Sequence, residues 1–180
     1  MVDFKIILKR LFLVLFILCS TLLVFSAQEP RWVAQPIHVY VPDYGNYTVL
    51  MQRAFKAWEE KSGSLVRFKF TSKPSNAHIE VAFVDHVENC NSPLAVGCAR
   101  TSLRGGNFYK SRLEIAMRQK FNSNNYRPIE NIYGVMLHEI GHAIGLGHSN
   151  NPNSIMYSYD LPSLQYLTKS DLELLYRKYH

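Results

Sequence analysis

The stretch HEIGHAIGLGH, residues 138 to 148, constrains this chain more than any other part of it. A helix interior avoids glycine, at about 1 kcal/mol per residue relative to alanine, so something other than helix stability favours three glycines among three histidines. At about 100° per residue, His138 and His142 fall about 40° apart and one turn from each other, with both imidazoles aimed at one point. Glu139 lies beside them. Tyr133, Leu137, Ile140 and Ile144 form an apolar stripe on nearly the opposite side, suited to burial against a sheet. Gly145 stands where a helix C-terminus takes a left-handed residue, a turn that returns His148 towards the same point. Three neutral imidazoles with an open fourth position describe a catalytic zinc site, whereas structural zinc takes four protein ligands, often thiolates. His-Glu-x-x-His alone arises by chance; the glycine and the third histidine at these offsets make the pattern specific.

The 180 residues suffice for one domain with a proper core and are too few for two comfortable ones. Lys5, Lys9 and Arg10 precede the apolar run LFLVLFILCSTLLVFSA, residues 11 to 27, and Ser26 and Ala27 close it with small side chains. Residues 1–27 therefore read as a secretory signal peptide, and the protein as secreted. An uncleaved membrane anchor is the rival reading, but about 17 apolar residues is at the bottom of the spanning range. Cys19 follows Leu18 rather than a small residue, which argues against a lipid anchor there. Removing residues 1–27 takes away Lys5, Lys9, Arg10 and Asp3, so the net charge falls from +6 to +4.

That balance is mildly basic. Arg100, Arg104, Lys110, Arg112, Arg118, Lys120 and Arg127 gather in mid-chain as a basic face, and nothing in the sequence supports nucleic-acid binding. Export leaves two cysteines, Cys90 and Cys98, and an even pair in an oxidising compartment reads as a disulfide; zinc ligation by one of them is the alternative.

The segment 37–41, IHVYV, alternates as a strand does, and PDYGN after it is turn chemistry. A helix follows, in which Leu50, Ala54 and Trp58 keep i, i+4, i+8 spacing beside Met51 and Phe55, and Gly63 suits its end. Residues 65–70, 78–83 and 112–117 are further strands, with 95–103 as an edge strand between the last two. Pro128 can open the histidine helix, and Thr168 with Asp171 caps a closing helix.

HEIGHAIGLGHS followed by SIMY resembles the metzincin zinc endopeptidases, and Ser149 after the third histidine resembles the matrixin branch, that of the matrix metalloproteinase catalytic domains. RAFKAWEEKSGSLVRFKF and LTKSDLELLYRKY are similar to that branch's first helix with its second strand and to its last helix, so the likeness spans residues 31–180. The resemblance implies an α+β fold: a twisted, mostly parallel sheet of about five strands with an antiparallel edge strand, a backing helix, an active-site helix, and a small C-terminal subdomain ending in a helix. One catalytic domain, 28–180, would hold its cleft between 28–148 and 149–180. His138, His142 and His148 match the zinc ligands, Glu139 the general base and acid, and Met156 the methionine of the turn beneath the metal.

Several departures accompany the likeness. Tyr157 is followed by Ser158 and Tyr159 where matrixins have Tyr-Pro, and Ser158 stands where astacins and serralysins place a zinc-binding tyrosine. The residues between the apolar run and the first strand, QEPRWVAQP, hold no cysteine-switch segment. The loop rich in glycine and aspartate that holds structural zinc and calcium has no match, since Asp85 and His86 alone do not make one, and a Cys90–Cys98 bridge is the expected brace in its place.

The implied activity is zinc-dependent endopeptide hydrolysis by a monomer, on protein or peptide substrates lying extended along the edge strand. A non-catalytic zinc-binding or adhesion module derived from a peptidase is the competing class. Retention of Glu139 counts against it, because a metal-binding scaffold has no need of a base there.

Overall fold

The computed structural model describes residues 29–88, 90, 95–119, 122–126, 129–158 and 164–180. The expected signal segment, Lys120, Arg127, Pro128 and Tyr159 lie outside them. In chain order the elements are β1 (Ile37–Tyr40), α1 (Asn46–Lys61), β2 (Phe68–Phe70), a 3-10 turn (Pro74–Asn76), β3 (Ile79–Val84), β4 (Gly97–Arg104), β5 (Asn107–Ala116), β6 (Arg118–Gln119), β7 (Asn122–Tyr126), α2 (Ile129–Ala143) and α3 (Lys169–Tyr179).

The first five strands form one sheet in the order β2-β1-β3-β5-β4. Neighbours run parallel except at β4, which pairs antiparallel with β5 through the two-residue Gly105–Gly106 turn. This is the mostly parallel α+β arrangement with an antiparallel edge strand. β5 starts earlier than the alternation at 112–117 suggests, because the tight hairpin carries pairing back to Asn107. β2 is shorter than the apolar run at 65–70, since only Phe68–Phe70 finds a partner in the four-residue β1. The hairpin β6–β7 follows no hydrophobic alternation: its strands read RQ and NSNNY.

Register decides which face of the sheet is buried. Ile37 and Val39, Ile79 and Val81, and Leu113 and Ile115 all point to one side and are almost fully buried, sharing a core with the helices. The other side carries a charge ladder. Glu80 lies opposite Arg112, and Arg112 opposite Arg100, a like-charge pair relieved by Glu114: its two carboxylate oxygens reach Arg100 at 2.9 Å and Arg112 at 3.1 Å. Arg100 and Arg112 of the basic mid-chain set are thus paired within the sheet, and Arg118 meets Asp85 at 3.0 Å.

α1 buries Met51, Ala54, Phe55 and Trp58, a stripe at i, i+3, i+4, i+7. The indole of Trp58 donates to the Leu137 carbonyl at 2.9 Å, which ties α1 to α2 and keeps a buried N–H satisfied. α3 begins with a capping box: Asp171 N–H donates to the Thr168 hydroxyl, and Thr168 N–H to the Asp171 carboxylate. No helix among the described residues is long and apolar enough to cross a membrane.

Candidate active site

α2 divides its circumference as the spacing predicts. Leu137, Ile140 and Ile144 are fully buried and Tyr133 is half-buried, while His138 and His142 turn to the opposite, partly open side. The helix ends in a Schellman turn: Gly145, at φ +100°, donates to His142 O, and Leu146 N–H reaches back to Gly141 O. The chain then returns His148 to the helix, and Ser149 N–H donates to Met156 O at 2.7 Å to hold it there.

The metal-binding nitrogens of His138, His142 and His148 lie within 4.8 Å of one another. His138 Nδ1 is 2.7 Å from Ile155 O, and His142 Nδ1 is 2.8 Å from Leu146 O. A carbonyl only accepts, so each Nδ1 carries the proton and each Nε2 keeps a bare lone pair. His142 Nε2 stands 3.2 Å from His148 Nε2, close to the separation of about 3.3 Å that two nitrogens have on a tetrahedral zinc at about 2.0–2.1 Å. Burial, first of all, lowers the pKa of His138 and takes that of His142 down to about 4, so both imidazoles are neutral, as metal ligands must be. This donor set fits a zinc ion.

Glu139 lies outside the three-nitrogen set and packs against Gly97 and Ala99 of the edge strand β4. It is 5 % exposed, and burial raises its pKa to about 8 against the opposing effect of a hydrogen bond from the Ala99 backbone. The site therefore places a buried carboxyl group between α2 and β4, next to a cluster suited to a divalent cation.

The matrixin family model matches residues 37–179, most of the chain. The chain belongs to the matrixin family. Among its relatives, macrophage metalloelastase of Rattus norvegicus is 28 % identical over 154 residues, covering 82 % of this chain and 31 % of the relative. Matrix metalloproteinase-18 of Xenopus laevis is 26 % identical over 140 residues, covering 77 % of this chain and 29 % of the relative. This matrixin thus spans about a third of the length of the curated relatives it matches.

Met156, fully buried, lies against the helix at Gly141, where a methyl group would collide with the Met156 sulfur and come within 3.3 Å of the Trp58 ring. That contact answers why α2 of the matrixin carries an interior glycine. Cys90 and Cys98 form a disulfide, Cα to Cα 6.1 Å, which fastens the loop before β4 to that strand and leaves neither sulfur for a metal.

Three contributors escaped the sequence reading. Gly97 on β4 packs against Glu139, and only the structure shows which residue of an edge strand faces the helix. Trp32, 3 % exposed, donates its indole N–H to Ala143 O at 2.8 Å and so braces the end of α2; an isolated tryptophan before the first strand carries no periodicity to signal this. Ser154 is fully buried beside Asp171, whose role in the sequence was confined to a helix cap.

Proposed function

We propose that this matrixin is an exported zinc-dependent endopeptidase in which His138, His142 and His148 hold the metal and Glu139 moves the proton. The observation that carries the reading is the convergence of three imidazoles, two with Nδ1 committed to backbone carbonyls, beside a buried carboxyl group. When bound, zinc supplies a Lewis acid that polarises the scissile carbonyl and lowers the pKa of water.

The residues of the chain do the rest. A positive charge at the triad favours the ionised form of Glu139, opposing the effect of burial. The Glu139 carboxylate takes the proton of the attacking water and afterwards delivers it to the departing amine nitrogen, which leaves poorly as an anion. The Ala99 N–H keeps that carboxylate against β4 while Gly97 leaves room for it. β4 is an edge strand, so an extended peptide can add to its unpaired side and bring a scissile bond to Glu139. Met156 is a packed floor beneath the helix, without a ligand role.

Profiling cleavage of a denatured protein mixture by mass spectrometry tests the activity. Defined peptide cuts that a zinc chelator abolishes and added zinc restores are expected, and no cuts at any zinc concentration would contradict the proposal. Export is tested separately by N-terminal sequencing, which should find material beginning near Ala27 or Gln28.

A further inference from the structure

Asp171 is fully buried, and its four hydrogen-bond partners among the described residues are neutral donors. Oδ2 accepts from Thr168 N at 2.8 Å, Thr168 Oγ1 at 2.7 Å and Ile155 N at 3.2 Å; Oδ1 accepts from the Ser154 hydroxyl. A capping box needs one carboxylate oxygen. The second oxygen faces away from the cap, into the turn that carries Met156.

From Oδ1 the hydrogen bonds run on without a break. Ser154 Oγ, having donated its proton to Asp171, accepts from Met156 N–H at 3.0 Å. That N–H belongs to the Ile155–Met156 peptide, whose carbonyl accepts from His138 Nδ1 at 2.7 Å. Every donor in the series points towards the carboxylate. Each bond polarises the next in the same sense, and the low dielectric of a buried site strengthens the effect.

We propose that Ser154 and Asp171 are positioning residues for the metal site, acting on His138 through the Ile155–Met156 peptide. The relay fixes the ring plane of His138, holds its proton on Nδ1, and makes Nε2 a better electron donor to a cation. It is the arrangement of a carboxylate, a histidine and a metal with a hydroxyl and one peptide group interposed. His142 has no such extension among the described residues; its Nδ1 ends on the Leu146 carbonyl. The two helix-borne histidines are therefore unequal, with His138 the more firmly held. The inference rests on the zinc reading of the triad.

The test is zinc affinity, measured by competition with a chromophoric chelator on parent protein, Ser154→Ala and Asp171→Asn. Outer-shell partners of metal-bound histidines typically contribute about 10- to 100-fold in affinity. Both variants should bind zinc about tenfold more weakly than the parent, and the NMR signal of the His138 Nδ1 proton should move upfield in metal-free Ser154→Ala. Leu175→Ala is the control. Leu175 is buried on the same helix as Asp171 but outside the relay, so its loss should lower the melting temperature with zinc affinity and the His138 signal unchanged. Equal affinity in parent, Ser154→Ala and Asp171→Asn overturns the relay alone. A matching affinity loss in Leu175→Ala overturns it too, by assigning the effect to general destabilisation. A parent that binds no zinc at the three histidines overturns the zinc reading itself.

Discussion

Gly97 on the edge strand and Glu139 on α2 occupy adjoining space: a methyl group on Gly97 would lie 2.5 Å from both Cγ and Oε1 of Glu139. The carboxyl group can rest against β4 only because residue 97 has no side chain. Gly97→Ala is therefore expected to displace the carboxyl group while leaving the three histidines in place. Turnover should fall at least about tenfold with about one zinc retained per chain, since general-base catalysis contributes about 10²–10⁴-fold and depends on reach. Peptide turnover and metal content of the same preparation check this, and unchanged turnover would mean that the contact does not position the base.

Gly141 sets two effects against each other. Helix propensity alone says that Gly141→Ala stabilises, by about 1 kcal/mol. The new methyl would collide with the Met156 sulfur and crowd Trp58, and overpacking costs about 1–3 kcal/mol. Packing should win. Thermal unfolding of the variant is expected at a lower temperature than the parent, by a few degrees; a higher melting temperature would show that the Met156 contact is slack.

His78 makes stability depend on acidity away from the histidine triad. Its Nδ1 accepts the His38 N–H at 3.1 Å, its ring stacks on His38 and Trp32, and Lys110 Nζ sits on the neighbouring Ala77 carbonyl. Burial, then the His38 and Lys110 charges, lower its pKa. The unfolded chain thus binds this proton more readily, so the stabilisation is complete above the ordinary histidine value of about 6.5 and fades as pH falls through the lower native value. Melting temperature should drop between pH 7.5 and 5.5, and drop less in His78→Gln, whose amide oxygen can take over the His38 N–H. Identical pH dependence in both proteins would count against His78. Comparing the two removes the contribution of His138 and His142, which burial depresses in the same direction.

The Cys90–Cys98 bridge predicts no titratable thiol from these two residues in protein purified and denatured without reductant. Closing so short a loop contributes about 2–3 kcal/mol by chain entropy. Reactive thiols at both Cys90 and Cys98 would contradict the pairing.

The elements that the sequence revealed are those with a local rule behind them. The stripe Leu137, Ile140, Ile144 has helical period, Thr168 and Asp171 have cap spacing, and Gly145 stands at the one helix position that favours a left-handed residue; each is found as the rule implies. The convergence of His138, His142 and His148 was legible for the same reason, being a matter of one helix and one turn. What escaped depends on contacts between distant segments. Trp32 to Ala143 and Ser154 to Asp171 join residues 111 and 17 positions apart, Gly97 to Glu139 likewise joins distant segments, and no period in either partner announces them. The β6–β7 hairpin escaped for another reason, since its strands, RQ and NSNNY, carry no alternation of apolar and polar residues to read.

Separation of metal binding from proton transfer is best measured on Glu139→Ala and His142→Ala beside the parent, with zinc content and peptide turnover taken from the same preparations. Glu139 lies outside the three-nitrogen set, so Glu139→Ala should keep about one zinc per chain and lose turnover by about two to four orders of magnitude. His142→Ala should lose both. A Glu139→Ala protein with zinc bound and turnover near that of the parent would contradict the assignment of Glu139 as the base.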